Sequence, residues 1–320
     1  MLISIIIINY NLAKEIEDCL KSLYNTFSQV DELEFEIIII DNNSPDKKLP
    51  VVQKKFNKSN ISFYYQDENL GFGKACNFGA SKAKGNIFCF LNPDTIISEN
   101  IFSLFTRLLI EDNSVGIVGP KQLTRKPFFD FSAGFYPNPF FEFFHVLGIG
   151  VFLEGLITHF YSKLSKKNFL KVGWILGAAI FIRREVFTKV SGFDKDYFMF
   201  SEEVDLCKRV SNAGFKIIYA PKHRIHHIGS VSGKKNYMLY TIRTYSSKNI
   251  FISKHSRGIS KLIMKLFLRI ELIVQIIIWT FLIPFGFNKS VQKIKAFLFL
   301  IQNNLKYNPA INVTTLKAGV

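Results

Sequence analysis

Two aspartates follow apolar segments that have the composition of buried strands. Asp94 comes just after the run Ile87–Leu91, in the turn Asn92-Pro93-Asp94, and Asp41 directly follows Glu36–Ile40. Ligands of open parallel sheets bind beyond the carboxyl ends of the strands, so both carboxylates are expected at a ligand-binding edge. A carboxylate there suits Mg²⁺ or Mn²⁺, which hold phosphates through one or two carboxylates and water. Either segment alone could also be a simple turn, because Asn, Pro and Asp favour turns.

The glycine-rich segment Asn69–Asn77 opens a predicted helix. Backbone N–H groups at the N-terminus of a helix favour a phosphate, and Lys74 adds positive charge. The segment matches neither the P-loop pattern nor the glycine pattern of dinucleotide-binding folds. A tight turn between a strand and a helix is the alternative interpretation.

Three acids, Glu202, Glu203 and Asp205, lie within four residues at the start of another predicted helix. A single acid is common at that end of a helix. Three crowded acids repel one another, which raises the pKa of at least one. A carboxylate of raised pKa that faces a cleft can act as a general base. Glu203 and Asp205 cannot point the same way on a helix, so at most one of them is the base.

Adjacent histidines, His226 and His227, follow a later predicted strand. Neighbouring side chains diverge on extended backbone, so both cannot bind one metal ion. One of them could share the ion held by Asp94, and a purely structural role is the alternative.

The composition bounds the class of protein. The 320 residues, 48% of them hydrophobic, suffice for one large α/β domain or for a domain with an appendage. The net charge of +16 favours anionic partners, which are phosphorylated substrates, nucleic acid or an anionic membrane surface. Four widely spaced cysteines without a CxxC pair indicate reduced thiols. The first residues lack the basic segment of a signal peptide, so we expect a cytoplasmic protein.

Strand and helix patterns alternate over the first 120 residues. This alternation predicts βαβ units and a mostly parallel sheet flanked by helices. In the first helix, Ile16, Leu20 and Leu23 have the spacing of a face packed on a core. The predicted strands are Ile3–Ile8, Glu36–Ile40, Ser62–Tyr65, Ile87–Leu91, Gly116–Val118, Trp174–Ile182 and Phe215–Ala220, and the predicted helices are Ala13–Phe27, Gly73–Ala83, Glu99–Ile110, Arg183–Val190 and Glu203–Asn212.

Two regions depart from this pattern. Residues 121–171 are rich in phenylalanine, and Pro127, Pro137 and Pro139 are expected to break any regular element there. This excursion could touch an apolar partner or form a small satellite core. Between Lys254 and Lys306 there are nine Lys or Arg residues and one acid, Glu271, among apolar runs. Basic residues beside a large apolar face favour helices on an anionic membrane surface, with a membrane span or a helical lid as alternatives.

Taken in order and spacing, a series of segments resembles the inverting glycosyltransferases of family 2, most closely their bacterial rhamnosyltransferase-like branch. Each motif alone is weak, but the ordered series is specific, and it runs from residue 1 to about residue 255. The segments are Ile7–Asn11, Ile40–Ser44, Asn69–Phe72, Leu91–Thr95, Gly177–Ala179, Arg183–Glu185, Gly192–Asp194, Phe198–Phe200, Glu202–Cys207 and His227–Gly229.

The resemblance implies a glycosyltransferase A-type (GT-A) fold over residues 1–255, with 121–171 facing an acceptor or membrane and 256–320 as a basic, apolar helical region. It implies that Asp94 binds Mg²⁺ or Mn²⁺ in place of the family's DxD motif, and that His227 assists. Asn92 replaces the first Asp of that motif. The nucleotide would be bound by Tyr10, Asp41, Asn43, Gly71, Lys74, Asn77 and Asn92.

The resemblance also places Glu203 at the position of the catalytic base, where the family often has Asp. The side chain is one methylene longer, so Asp205 stays open as a second candidate. Trp174, Gly177 and Glu202 are assigned to the region around the donor sugar and the acceptor.

The implied activity is metal-dependent, inverting transfer of a sugar from a nucleoside-diphosphate donor to a hydroxyl of a lipid-linked or polysaccharide acceptor in surface glycan synthesis. L-Rhamnose is the first choice of sugar, and the enzyme would lie on the inner face of the plasma membrane. A nucleotidyltransferase and a non-catalytic relative remain alternatives. A nucleic-acid-binding protein is disfavoured, because the basic residues accompany apolar helices rather than a polar surface with stacking aromatics.

Overall fold

The computed structural model describes residues 1–28, 33–123, 132–165, 167–228 and 236–307. The chain divides into two compact units. Unit 1 comprises Met1–Tyr136, Gly155–Lys195 and Glu202–Gly229, and unit 2 comprises Pro137–Glu154, Asp196–Ser201 and Ser230–Val320. The division of the chain at residue 255 stays a prediction.

The secondary structure follows the predicted alternation closely in the first 120 residues. The strands are β1 (Leu2–Asn9), β2 (Glu34–Asp41), β3 (Ile61–Tyr65), β4 (Ile87–Leu91), β5 (Thr95–Ile96), β6 (Val115–Leu123), β7 (Ala133–Gly134), β8 (Leu170–Val172), β9 (Trp174–Ile175), β10 (Ala179–Arg183) and β11 (Lys216–His227). The helices are α1 (Ala13–Phe27), α2 (Leu49–Lys55), α3 (Phe72–Lys82), α4 (Ile101–Glu111), α5 (Pro139–Val146), α6 (Gly150–Ser165), α7 (Arg184–Lys189), α8 (Glu202–Asn212), α9 (Tyr237–His255), α10 (Gly258–Phe281) and α11 (Phe287–Gln302), with a 3₁₀ turn at Ile283–Phe285.

The central sheet of unit 1 is built mostly from parallel strands, as predicted. Its order is β3-β2-β1-β4-β10-β6-β11-β5, with β8 paired to β11. Strands β3, β2, β1 and β4 are parallel neighbours, and so are β6 and β11. Strand β10 runs antiparallel between β4 and β6. The carboxyl ends of β1, β2 and β4 therefore meet at one edge, while β10 begins there.

Helices cover both faces of this sheet, because its central strands are apolar on both sides. In β1, Ile5 and Ile7 face a core that includes residues of α1 and α4, while Ile6 and Ile8 face a core that includes residues of α3, α7 and α8. Near-continuous apolar runs are typical of parallel strands buried on both faces. All four cysteines of the chain are free and buried.

Unit 2 is helical in its described part. Helices α9, α10 and α11 pack around a core that includes Ile252, Leu268 and Phe297. Helix α5 is tied to this group by charge, because Lys248 of α9 lies 2.8 Å from Glu142 of α5 and 3.0 Å from Glu271 of α10. Tyr245 also donates a hydrogen bond to Glu271, at 2.8 Å. These partners satisfy charges that would be costly to bury alone.

Three expectations from the sequence are wrong. The excursion is not irregular after Pro137, since it contains α5 and α6. Pro139 begins α5 instead of breaking it, because proline is tolerated in the first turn and Asn138 caps the helix through Phe140 N–H. The single strand expected over Trp174–Ile182 is divided into β9 and β10 by the turn that contains Gly177.

Strand β11 is longer than expected. It continues past Ala220 to His227, with a register irregularity between Ala220 and Arg224. The first part of the Phe-rich segment, including Phe128, Phe129 and Phe131, lies outside the described residues. In the part of the chain that the structure describes, no helix has the length and apolar character needed to cross a membrane.

Candidate active site

Asp94 and His227 are brought together by a short strand pair at the edge of the sheet. Strand β5 pairs antiparallel with the end of β11, so that His227 lies opposite Thr95, and Ile228 N–H donates to the Asp94 carbonyl at 3.0 Å. His227 Nε2 consequently lies 3.2 Å from Asp94 Oδ1. The amide Nδ2 of Asn92 is 3.4 Å from the same ring nitrogen. His226 points away and is exposed, as expected for adjacent residues on extended backbone.

These side chains fit a divalent cation. A buried carboxylate oxygen and an imidazole nitrogen converge at hydrogen-bonding distance, and both atoms are common metal ligands. The described residues contain no cluster of three or more His, Cys, Asp or Glu side chains that could hold an ion. Phosphate oxygens and water would complete the coordination, which is the usual mode for Mg²⁺.

Asp41 is fixed by polar neighbours at the adjacent strand end. Its Oδ1 accepts hydrogen bonds from Asn9 Nδ2 and Ser44 Oγ, both at 2.6 Å, and its Oδ2 accepts one from Ser44 N–H at 3.2 Å. Asn9 and Asp41 are direct neighbours in the β1–β2 register. This network holds the turn after β2 against the end of β1.

Asn42 connects the same turn to the glycine-rich segment. Its Oδ1 accepts from Leu70 N–H at 2.9 Å, and its Nδ2 donates to Asn69 Oδ1 at 3.0 Å and to the Gly71 carbonyl at 3.3 Å. Gly71 caps α3 with φ 81°, a conformation that favours glycine. The start of α3, with the exposed side chain of Lys74, is thereby fixed relative to the end of β2.

The remaining nucleotide-site candidates occupy different surroundings. Tyr10 is exposed directly after β1. Asn43 has φ 58°, and its Nδ2 donates to the Asp67 carbonyl at 2.8 Å. Both polar atoms of the Asn77 side chain are bonded to the backbone of Phe193, each at 2.8 Å. Asn77 therefore holds the turn at Phe193 through its amide.

Glu203 lies in the first turn of α8, partly exposed, against the turn between β9 and β10. A Cβ added at Gly177 would lie 3.7 Å from Glu203 Cβ and 3.9 Å from its Cδ, so the absence of a side chain at Gly177 leaves room beside the carboxyl group. Burial raises the pKa of Glu203 to about 7. Burial, and then the charge of Glu203, raise the pKa of Glu202 well above its ordinary value.

Asp205 is fully buried on the same helix and paired with Arg209. Its Oδ2 lies 2.7 Å from both Nε and Nη2 of Arg209, and Arg209 Nη1 also donates to the Val190 carbonyl at 2.5 Å. Trp174 is also engaged, since its indole N–H donates to the Phe135 carbonyl at 2.8 Å. Of the acids at the start of α8, Glu203 is the partly exposed one, whereas Glu202 and Asp205 are buried.

A backbone hydrogen bond links the acid cluster to the Asp94 cluster. Asn92 N–H donates to the Ala178 carbonyl at 2.9 Å, and Ala178 adjoins Gly177, which faces Glu203. The structure thus connects two groups of side chains that lie about a hundred residues apart in the sequence.

Comparison with protein families shows which family the chain belongs to. The model of Glycosyl transferase family 2 matches residues 4–190, which is more than half of the chain. The chain belongs to glycosyltransferase family 2. The predicted family, its enzymatic class and the GT-A fold are therefore confirmed, and the alternatives of a non-catalytic relative, a nucleotidyltransferase and a nucleic-acid-binding protein are set aside.

Relatives of this glycosyltransferase include bacterial rhamnosyltransferases. It is 28% identical to rhamnosyltransferase WbbL of Escherichia coli K12 over 228 residues, 66% of this chain and 79% of that protein. It is 33% identical to an N-acetylglucosaminyl-diphospho-decaprenol L-rhamnosyltransferase of Mycobacterium tuberculosis over 87 residues, which cover 27% of this chain and only 28% of the relative.

A solved structure with the same fold is the mannosyltransferase PcManGT from Pyrobaculum calidifontis, in complex with GDP-Man and Mn²⁺. The two structures have a TM-score of 0.56 at 15% identity, covering 99% of this chain and 79% of the other.

Several residues around the candidate site had no role predicted from the sequence. Asn9, Ser44 and Asn42 fix the two turns that hold Asp41 and Gly71. The sequence does contain a signal for Asn9, because this residue ends an apolar run as Asp41 does. Arg209 lies four residues after Asp205, the spacing at which helical side chains meet, so the ion pair between them was predictable from the sequence.

Proposed function

We propose that this glycosyltransferase moves a sugar, with L-rhamnose as the first choice, from a nucleoside-diphosphate donor to a hydroxyl group of a lipid-linked or polysaccharide acceptor, with inversion at the anomeric carbon. The observation that carries the proposal is the convergence of Asp94, His227 and Asn92 beyond the end of β4. Support for the sugar comes from the names of the relatives, two of which are rhamnosyltransferases. The name of one of them also supports a polyprenyl-diphosphate-linked acceptor.

The donor would lie across the carboxyl ends of β1, β2 and β4. Asp94 and His227 would hold Mg²⁺ or Mn²⁺, which would offset negative charge on the departing diphosphate. The PcManGT complex with GDP-Man and Mn²⁺ supports this metal requirement. Tyr10 and Asp41 would lie near the nucleoside, and Lys74 at the start of α3 would attract the diphosphate.

Glu203 would act as the general base. Its carboxylate would take the proton from the acceptor hydroxyl while the acceptor oxygen forms a bond to the anomeric carbon. The bond between that carbon and the diphosphate oxygen would break, and its electron pair would leave with the diphosphate. A base with a pKa of about 7 is half ionised near neutral pH, where proton transfer is efficient. Asp205 fits this role less well because it is buried and paired with Arg209.

The test is calorimetric titration with deoxythymidine diphosphate and uridine diphosphate, with and without Mn²⁺. We expect binding to require Mn²⁺ in the wild type and to disappear in Asp94→Ala. Asp18→Ala is the matched control, because Asp18 is exposed on α1, far along the chain from this strand end. Absence of nucleotide binding by folded wild type, or equal metal-dependent binding by Asp94→Ala, would refute the proposed site.

A product test addresses the sugar. The nucleotide that binds more tightly indicates whether the donor is a deoxythymidine-diphosphate sugar or a uridine-diphosphate sugar. The anomeric configuration of the product, determined by NMR, tests whether the transfer inverts the anomeric carbon. We further propose that the enzyme works on the inner face of the plasma membrane, where a lipid-linked acceptor is accessible.

A further inference from the structure

Helix α10 of unit 2 is apolar on two opposite faces. One face carries Met264, Leu268 and Leu272 and is buried in the core of unit 2. The opposite face is also apolar yet exposed. Its large exposed side chains are Ile259, Leu262, Leu266, Ile270, Ile273, Ile277 and Phe281, which we call the outer stripe.

The spacing shows that the outer stripe is continuous. Its members recur at intervals of three or four residues, which places them on one side of a helix. From Ile259 to Phe281 it spans about 33 Å at roughly 1.5 Å per residue. Arg269 and Thr280 are the exposed polar side chains along it. A surface helix in water normally exposes a polar face, so an exposed apolar face of this length indicates a binding surface.

Helix α5 extends the apolar surface. Phe140, Phe143 and Leu147 are exposed on and just after this helix. The ring of Phe143 contacts that of Phe267 of α10, with centroids 5.9 Å apart. The aromatic residues of α5 therefore lie beside α10 within unit 2.

Charge identifies the occupant of this surface. Nine Lys or Arg side chains lie between Lys254 and Lys306, and the one acid there, Glu271, is buried and paired with Lys248. Lys254 is paired with Asp196, and the other basic residues leave this segment with a large excess of positive charge, which complements anionic lipid headgroups. A second copy of the chain is disfavoured, because a symmetric interface would bring the same basic residues together.

We infer that the outer stripe of α10, with the exposed phenylalanines of α5, is a docking surface for an anionic lipid bilayer, on which α10 lies in the plane of the interface. Helices of this kind bind through buried apolar area together with electrostatic attraction. The inference deepens the proposed membrane location and rests on that part of the proposed function, but it does not depend on the sugar or on the acceptor.

The experiment is co-sedimentation of the full-length protein with vesicles of phosphatidylcholine alone or mixed with phosphatidylglycerol. We expect binding to the mixed vesicles that weakens as salt is added. The triple variant Ile270→Ser/Ile273→Ser/Ile277→Ser should bind about a thousandfold more weakly, at roughly tenfold for each half-buried apolar side chain. The control Val51→Ser/Ile110→Ser changes exposed apolar residues of unit 1 and should bind as the wild type does.

A charge variant tests the choice of occupant. Arg257→Gln/Arg269→Gln/Lys289→Gln, which changes exposed basic residues of unit 2, should lose about a hundredfold in affinity for the anionic vesicles, because each basic residue near the surface contributes roughly fivefold. Equal vesicle binding by the wild type and the stripe variant would overturn the inference. A dimer seen by analytical ultracentrifugation without lipid, and lost in the stripe variant, would overturn it in favour of a second copy.

Nucleotide binding by the same variants separates this inference from the proposed activity. We expect both triple variants to bind the nucleotide in the presence of Mn²⁺ as the wild type does. Vesicle binding without nucleotide binding would refute the proposed sugar transfer but support the docking surface. Nucleotide binding without vesicle binding would refute the docking surface but leave the proposed sugar transfer intact.

Discussion

Replacing Glu203 with glutamine should stabilise the protein at pH 8 much more than at pH 5. Burial raises the pKa of Glu203 from an ordinary value of 4.5 to about 7 in the folded state. Between these values the folded protein keeps a proton that the unfolded chain has released. The free energy of unfolding therefore falls as the pH rises from about 4.5 to about 7, and the full penalty is present above pH 7.

The size of the effect follows from the same two values. A rise of roughly 2.5 pH units, at about 1.36 kcal/mol per unit, gives a penalty of about 3 kcal/mol at pH 8. At pH 5 about three-quarters of the carboxyl groups are ionised in the unfolded chain, and the penalty is still below about 1 kcal/mol. Glutamine has no charge to desolvate, so Glu203→Gln should recover these amounts.

The assay is urea unfolding at pH 5 and pH 8, followed by tryptophan fluorescence. The chain has two tryptophans, and Trp174 lies in unit 1 with Glu203. A Trp279→Phe background therefore makes the signal specific for the unit that contains the substitution. An equal effect of Glu203→Gln at both pH values would refute the argument that burial raises this pKa.

Glu68→Gln is the matched control, because Glu68 is exposed in unit 1 and its carboxylate stays in contact with water. The difference in stability between pH 5 and pH 8 should therefore stay as in the wild type. Burial and the neighbouring charge also raise the pKa of Glu202 well above its ordinary value, so Glu202→Gln should, like Glu203→Gln, stabilise the protein more at pH 8 than at pH 5.

The same ionisation should control the rate. A base must be deprotonated, so activity should rise through pH 7, with about a tenth of Glu203 ionised at pH 6 and nine-tenths at pH 8. Glu203→Gln should lower turnover by about 10² to 10⁴ and abolish this rise. Glu203→Gln would then be both more stable and less active than the wild type. Such a trade-off between stability and activity is expected when a functional group is held in an unfavourable environment.

Three further predictions concern side chains that stabilise unit 1 or unit 2 from within. Asp205→Asn should weaken the ion pair with Arg209 and lower the free energy of unfolding, whereas the midpoint of the pH dependence of turnover should not change. A loss of that pH dependence would identify Asp205 as the base. Lys248→Met should lower the free energy of unfolding by about 3–5 kcal/mol in urea at pH 8, because Glu142 and Glu271 stay buried without their cation. A decrease below about 1 kcal/mol would show that these two glutamates are not buried. Asn77→Ala should lower the free energy of unfolding by about 1–3 kcal/mol, because the backbone N–H and carbonyl of Phe193 lose their partners, and metal-dependent nucleotide binding in a calorimetric titration should change little. A selective loss of nucleotide binding would instead support direct contact between Asn77 and the nucleotide.

The strands and helices of the first 120 residues were predictable because each is specified locally. Ala13–Phe27 was predicted with both ends correct, since its apolar spacing and its flanking turns are confined to that segment. Ile87–Leu91 was likewise exact, because the run is apolar throughout and ends in turn-forming residues. The positions of Asp41 and Asp94 at strand ends followed from these boundaries, without knowledge of the sheet order.

The pairing between distant segments was not predictable. Nothing local in Ala179–Arg183 shows that it runs antiparallel between β4 and β6. The turn at Gly177 was also missed, because the apolar residues on both sides of it read as one strand. The extension of β11 to His227 passes through Pro221, which argues against a strand when the sequence is read alone.

The antiparallel position of β10 explains how the two halves of the proposed chemistry meet. A parallel strand beside β4 would end at this edge and lead onward into a loop, whereas β10 begins here, so the turn before it lies at the edge itself. That turn supplies both the Ala178 carbonyl for Asn92 N–H and the open space at Gly177 for Glu203. A shift of β10 along β4 would therefore displace the proposed base and the residues beside the proposed metal ion together. Since the hydrogen bonds of β10 with β4 fix its register, the rigid sheet holds the turn at Gly177 and Ala178 beside Asn92.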